Sequence, residues 1–169
     1  MGALDFLLKA YELKELDRKG WVKKVGIKNP ESVASHTYGM LLLALLFYKD
    51  SSIMKEIVIH DLAEVLIGDL TPEEKSNESK DREKEAFKHL VSTLDKAKQD
   101  ELISLYEQAN FDMFVKELDK LDLAIQALYY KEKGYPKEKL EEFILTADTS
   151  IKNQKLRKIF EEVKVRFYS

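Results

Sequence analysis

Residues 57–67 constrain this fold most, because the almost wholly apolar run IVIHDLAEVLI carries a His-Asp pair at its centre. At helical spacing two of its four stripes are fully apolar and a third is apolar except for Asp61. Only the stripe Glu56, His60 and Glu64 is polar throughout. A helix that is apolar on most faces is largely buried, so we expect Asp61 and His60 to point inward. A buried carboxylate is unfavourable unless it is paired, hydrogen-bonded or bound to a metal, so chemistry is expected here.

The helical period of apolar residues continues along nearly the whole chain, and we find no strand alternation or internal repeat. The helix predicted at about 32–48 turns apolar on all four stripes after Tyr38, which is typical of the central helix of a bundle. We therefore expect an all-α, single-domain bundle of six to eight helices over residues 1–169. A first helix is marked by Leu4, Leu7, Leu8 and Tyr11 and should end at Gly20. Further helices are predicted at about 53–67, 80–94, 99–108 and 112–132. The C-terminal section is predicted to be helical with a break around 146–150.

Composition narrows the possible ligands and partners. The formal net charge of −3 argues against a broad surface for nucleic acid or for an anionic membrane. The chain has no cysteine, so a metal would have to be held by His, Asp and Glu side chains. The longest apolar run, residues 40–48, is far shorter than the ~20 residues that span a bilayer. The N-terminus shows no secretion signal, and a cytoplasmic enzyme or binding protein fits these features.

Two further polar side chains interrupt apolar stripes. His36 begins a stripe on the predicted helix 32–48, at the end where a buried side chain can still meet a cleft. Asp119 interrupts a stripe of the helix predicted at about 112–132, as Asp61 does in its own helix. Asp122 belongs to a more polar stripe, so the pattern favours Asp119 as the inward carboxylate.

Together these residues suit a metal site. Two imidazoles and two carboxylates can hold an octahedral divalent ion, with waters in the remaining positions. The alternative is that each has a structural role, as a hydrogen-bonded core histidine, a helix cap or a partner of lysine. Gly39 would let another backbone or a ligand approach His36, although helix packing explains it equally well. His89 lies on a polar face and is expected to be solvated.

Four motifs in order resemble one known family. His36, then His60-Asp61, then Asp119 follow the H…HD…D order of the HD-domain metal-dependent phosphohydrolases. The chain is most similar to the HD-domain 5′-deoxynucleotidases, that is, the YfbR-like enzymes and the HD domain-containing protein 2 group. The resemblance covers about residues 4–135, while the helices at about 137–169 match little. Its motifs are RKGW at 18–21, PESVASH at 30–36, HDLAE at 60–64 and GDLTP at 68–72.

This resemblance implies an all-helical homodimer that removes phosphate from deoxyribonucleoside 5′-monophosphates with a divalent ion such as Co²⁺, Mn²⁺ or Mg²⁺. Glu64 would be the catalytic acid or base, and Asp69 would assist at the water or the sugar. Arg18 would contact the phosphate, and Trp21 would lie near the sugar. One ion per subunit is expected, because the only other histidine is His89. The implied metal ligands are His36, His60, Asp61 and Asp119.

Two other functions stay open on the sequence alone. One is an HD phosphohydrolase that acts on a nucleoside triphosphate, a cyclic nucleotide or an alarmone. Such enzymes need extra basic residues, for which residues 75–88 offer a mixed-charge candidate. The other is a non-catalytic helical interaction module whose His and Asp residues form a structural polar network.

Overall fold

The structure, a computed structural model, describes residues 2–169 as a bundle of helices. Shorter turns of 3₁₀ or π type lie at Glu12–Lys14, Trp21–Val25 and Pro72–Glu74. The expected all-α single-domain fold is confirmed, with nine α-helices within residues 2–169 where six to eight were expected. The α-helices are α1 (Ala3–Tyr11), α2 (Val33–Phe47), α3 (Ser52–Ile59), α4 (Glu64–Ile67), α5 (Asn77–Val91), α6 (Lys96–Phe111), α7 (Met113–Glu132), α8 (Lys137–Ser150) and α9 (Gln154–Tyr168).

The single helix predicted at about 53–67 is divided into α3 and α4. The imidazole Nδ1 of His60 donates to the carbonyl oxygen of Ile57 at 2.6 Å. In a continuous α-helix that carbonyl would accept the backbone N–H of Asp61. The chain tightens instead into i→i+3 hydrogen bonds, such as that from the Glu64 N–H to the Asp61 carbonyl at 3.0 Å. The His-Asp pair therefore sits on a turn rather than in a helix.

Side-chain caps explain where several helices begin. Ser32 accepts the backbone N–H of Ser35 and starts α2 at the predicted place. Asp95 caps α6, which begins earlier than the predicted 99 and extends to Phe111. Ser76 caps α5, which begins at Asn77, three residues before the predicted start, and a short 3₁₀ turn at Pro72–Glu74 precedes it.

The interior consists of two apolar clusters on either side of the N-terminal half of α2. The first joins α2 to α7, α8 and α9, and the second joins α3 and α4 to α5 and α6. Val33 belongs to the second cluster and Met40, two turns later on α2, to the first. His36 lies between them on the same helix, so the predicted site is placed where the two clusters meet.

The four apolar stripes of α2 predicted the central helix of the bundle. This helix packs against α3 and α7 but is not buried on all sides in the single chain. Met40 and Ala44 are completely buried, but Leu45 and Leu46 are 65% and 74% exposed. The first helix behaves similarly, because the face marked by its leucines is exposed. The period of apolar residues predicts which face of a helix is kept from water. It does not predict whether that face packs against the same chain or against another molecule. Among residues 2–169 no helix has both the length and the apolar character to cross a membrane.

Candidate metal centre

The four predicted ligands come together from three parts of the fold. His36 lies in the first turn of α2, His60 and Asp61 lie on the turn between α3 and α4, and Asp119 lies on α7. The Nε2 atom of His36 is 3.2 Å from Asp119 Oδ1 and 3.8 Å from Asp61 Oδ2. The Nε2 atom of His60 is 3.0 Å from the same Asp61 oxygen. The structure thus gathers all four side chains, while their binding of an ion remains a prediction.

Both histidines present the same ring nitrogen to this centre. The carboxylate of Asp122 accepts from Nδ1 of His36 at 2.7 Å, and the carbonyl of Ile57 accepts from Nδ1 of His60. Because carboxylates and carbonyls only accept, each Nδ1 carries a proton, and the Nε2 atom of each neutral ring offers its lone pair to the centre. Both Nε2 atoms are buried and have no hydrogen-bond partner among the described residues. Two buried lone pairs without a donor are what a metal ion would satisfy.

The pKa shifts of the side chains at the centre are also consistent with a bound cation. Burial raises the pKa of Asp61, but His60, His36 and Arg18 outweigh it and hold that pKa well below the usual range. Burial lowers the pKa of His36, yet its contacts with Asp119 and Asp122 prevail and raise that pKa to about 10. Lys120 pairs with Asp119 at 2.8 Å, and in the ion-free centre the carboxylates also favour a second proton on the His36 imidazole. A divalent ion at Nε2 would take the place of that proton.

The separations fit the size of such an ion. Adjacent ligand atoms of an octahedral ion bound at about 2.1 Å lie about 3 Å apart. One ligand atom each from His36, His60 and Asp61 lies within 4.8 Å of the others, and Asp119 adds an oxygen 3.2 Å from His36 Nε2. A set of nitrogen and oxygen atoms without sulfur suits Mn²⁺, Co²⁺ or Mg²⁺. The residues therefore fit a single divalent ion.

Arg18 reaches the centre because its backbone is tied to the start of α2. An isolated antiparallel bridge joins Asp17 to Ser32, and the Arg18 N–H donates to the Glu31 carbonyl at 3.0 Å. Its guanidinium lies 3.9 Å from carboxylate oxygens of both Asp61 and Asp119. At that distance its N–H groups face the carboxylates without hydrogen-bonding them, so they remain free to bind a phosphate.

Glu64 and Asp69 flank the centre on the next segment. Glu64 opens α4 with 5% exposure, and its Oε2 atom has no partner among the described residues. Burial, and then the carboxylates of Asp61 and Asp69, raise the pKa of Glu64 to about 10. Asp69 accepts the backbone N–H of Lys19 at 2.5 Å, and this bond ties the segment of Arg18 to the loop after α4.

A cavity of about 330 Å³ opens onto these residues and is walled by His60, Asp61 and Asp119 with Arg18, Glu64 and Asp69. Trp21 also lines it, but this side chain is only 1% exposed and packs against Phe143, 4.2 Å between ring centroids. Its indole N–H donates to Glu31 at 2.8 Å. Trp21 is thus mainly a core residue, and its contact with a sugar remains a prediction.

Several sequence interpretations need correction. The polar stripe Glu56, His60 and Glu64 lies inward throughout, because both glutamates are buried and the His60 side chain, which was expected to point inward, is only 12% exposed. Asp122, which the pattern ranked below Asp119, also points inward and hydrogen-bonds His36. The available signal was spacing, because Asp122 follows Asp119 by three residues and so lies on the same face of α7. His89 is exposed, as expected.

Known proteins share both the sequence pattern and the fold. The family model HD_3, described as HD domain, matches residues 10–164, which extends beyond residue 135 into α8 and α9. The 5′-deoxynucleotidase HDDC2 of Danio rerio is 35% identical over 157 residues, which cover 86% of this chain and 78% of that protein. The 5′-deoxynucleotidase hdd1 of Schizosaccharomyces pombe is 37% identical over 147 residues, covering 78% of this chain and 73% of that protein. A conserved hypothetical protein from Pyrococcus furiosus has a TM-score of 0.77 and 31% identity, with coverage of 96% of this chain and 99% of that one.

Proposed function

Since this chain belongs to the HD-domain family, we propose that it is a metal-dependent phosphohydrolase that removes phosphate from deoxyribonucleoside 5′-monophosphates. The observation that carries the proposal is the pair of buried, unpartnered Nε2 atoms that face Asp61 and Asp119 beside Arg18. The substrate class follows from the names of the relatives, which are similar over most of both chains. The family match supports a single HD domain over residues 1–169.

The ion would be held by His36, His60, Asp61 and Asp119, one per subunit. When bound, it supplies a Lewis acid for the phosphoryl group. Hydrolysis of a phosphate monoester otherwise depends on positioning and on charge neutralisation, for which the protein needs no covalent partner. The planar guanidinium of Arg18 offers paired donors that match phosphate oxygens. Because Arg18 lies beside both carboxylates, a phosphate that it binds would lie next to the centre.

Glu64 is the candidate for proton transfer. Burial and the neighbouring carboxylates raise the pKa of Glu64 in the ion-free centre, and this carboxyl lines the cavity. There it would take a proton from the attacking water or give one to the leaving alkoxide of the nucleoside. Asp69 positions the Arg18 segment through Lys19 and lies in the same cavity wall, close enough to assist at the water or the sugar. Trp21 would bound the sugar side of the cavity.

We also propose that the enzyme is a homodimer. An exposed apolar stripe runs along α2, the helix that also carries His36. It consists of Leu42, Leu45 and Leu46. Apolar stripes of this kind on a helix surface are typical of protein interfaces. A second copy that covers the stripe would bury the α2 face that the single chain leaves in water. The cytoplasmic location remains a proposal that rests on the nature of the substrate.

The test is phosphate release from dAMP, AMP, dATP and a cyclic nucleotide, each assayed with Mn²⁺, Co²⁺ and Mg²⁺. We expect release of inorganic phosphate from dAMP and a clearly lower rate with AMP. His60→Gln should abolish release, and His89→Gln, which changes an exposed histidine, should not. Preferred release of pyrophosphate or cleavage of the cyclic nucleotide would assign the site to another HD phosphohydrolase. No turnover of any nucleotide would favour the interaction module.

A further inference from the structure

We propose that Asp122 is a positioning residue that orients His36 for metal binding, and that Gly39 is required because it makes room for this carboxylate. The inference deepens the metal centre of the proposed function and rests on it. It assigns a role to two residues that touch neither the ion nor the substrate.

The geometry places Asp122 behind the ligand. Its Oδ2 atom is 2.7 Å from Nδ1 of His36, and both side chains are buried. The opposite ring nitrogen, Nε2, faces Asp119 at 3.2 Å. A carboxylate that accepts from one imidazole nitrogen selects the tautomer with its lone pair on the other nitrogen, and also fixes the ring plane. Asp122 therefore determines which nitrogen of His36 is presented to the centre.

Gly39 shows that this contact is built into the packing of α2 against α7. A Cβ atom placed on Gly39 would lie 3.0 Å from Cγ of Asp122 and nearer still to its Oδ1. Any side chain at position 39 would force the carboxylate away from this place. Gly39 follows His36 by three residues, as Asp122 follows Asp119, so both pairs share a helix face. The close approach explains a glycine inside a helix, where it lowers stability relative to alanine.

Glu31 is the other carboxylate near His36, and it plays a different part. Ligand atoms of Glu31, His36 and Asp122 lie within 4.8 Å of one another. The Oε1 atom of Glu31, however, accepts the indole N–H of Trp21 at 2.8 Å, and the hydrogen bond to the imidazole belongs to Asp122. Glu31 acts on His36 through its charge alone. Glu31→Gln is therefore the matched control for Asp122→Asn, because each removes one negative charge.

The experiment measures Mn²⁺ affinity by isothermal titration for wild type and for these two variants. We expect Asp122→Asn to weaken binding by about 10–100-fold. Glu31→Gln should weaken it clearly less, because it removes a charge but no hydrogen bond to the imidazole. Equal effects of the two variants would overturn the inference, because charge alone would then explain both. Wild-type Mn²⁺ binding tests the centre itself, and phosphate release from dAMP tests the proposed function separately.

A second measurement needs no variant. In the Mg²⁺-loaded wild-type protein, ¹⁵N–¹H correlation spectra of the histidine side chains should show a proton on Nδ1 of His36. A proton on Nε2 would overturn the inference.

The role of Gly39 is tested by a double-mutant cycle. Gly39→Ala and Asp122→Ala should each weaken Mn²⁺ binding, while the double variant should be no weaker than Asp122→Ala alone, because the added methyl then meets no carboxylate. Additive losses would show that Gly39 acts independently of Asp122 and would overturn its assigned role.

Discussion

Removal of the divalent ion should lower the melting temperature of this protein substantially. The proposed ligands come from α2, from the turn between α3 and α4, and from α7, so only the folded chain gathers them. An ion present at 100 times its dissociation constant then adds about 2.7 kcal/mol to the free energy of unfolding. For a chain of 169 residues, each kcal/mol moves the melting temperature by about 2–4 °C, so chelation should lower it by about 5–11 °C.

Circular dichroism melts with saturating Mn²⁺ or with excess EDTA measure this difference. His60→Gln should lose most of the shift, because it removes one of the two buried Nε2 atoms proposed as ligands. His89→Gln is the matched control, because it changes an exposed histidine and should keep the full shift. Identical melts of the wild type in Mn²⁺ and in EDTA would refute the reasoning. A full shift in His60→Gln would show that the ion binds elsewhere.

The remaining predictions concern catalysis, assembly, pH and a helix cap. Glu64→Gln should keep the Mn²⁺-induced rise in melting temperature and lower the rate of phosphate release by about 10²–10⁴-fold. Leu45→Glu should convert the proposed dimer into a monomer, measured by light scattering, because it places a charge on the exposed stripe of α2. Asp148→Asn should lower the melting temperature at pH 7 but not at pH 2. Lys164 first and Arg157 second hold the pKa of the Asp148 carboxyl below its usual range, so its stabilisation is present above about pH 4 and lost as the pH falls. Asn153→Ala should reduce the free energy of unfolding in urea by about 1 kcal/mol, because this side chain caps α9.

Each of these has a contrary outcome. Loss of the Mn²⁺ shift in Glu64→Gln would make this residue a ligand rather than a catalyst. An unchanged mass for Leu45→Glu would remove α2 from the interface. Leu145→Glu, which makes the same change at an exposed leucine of α8, serves as its control. A destabilisation by Asp148→Asn that persists at pH 2 would mean that the carboxylate charge is not the cause. Unchanged stability of Asn153→Ala would show that α9 is held by packing alone.

Much of the fold was accessible from local pattern. Apolar residues at helical spacing predicted the long helices, and the start predicted near residue 32 agrees with the cap that Ser32 forms on α2. The starts of α5 and α6 were predicted three residues late. The break between α3 and α4 was not accessible, because it depends on a hydrogen bond between the His60 side chain and a backbone carbonyl. The exposed side of α2 was also missed, since a stripe looks the same whether its partner is the same chain or another.

The sequence by itself determined which side chains are out of place in apolar surroundings, and so identified His36, His60, Asp61 and Asp119. A charged group in a buried stripe is unfavourable whatever the stripe packs against, so it can be recognised before the tertiary structure is known. Only the tertiary structure decided what lies opposite each group. It placed Asp122 behind His36 against Gly39, and it brought Arg18 to the centre through the bridge to Ser32. These contacts join residues distant in sequence, and their geometry is set by how the helices pack rather than by the period of any one of them.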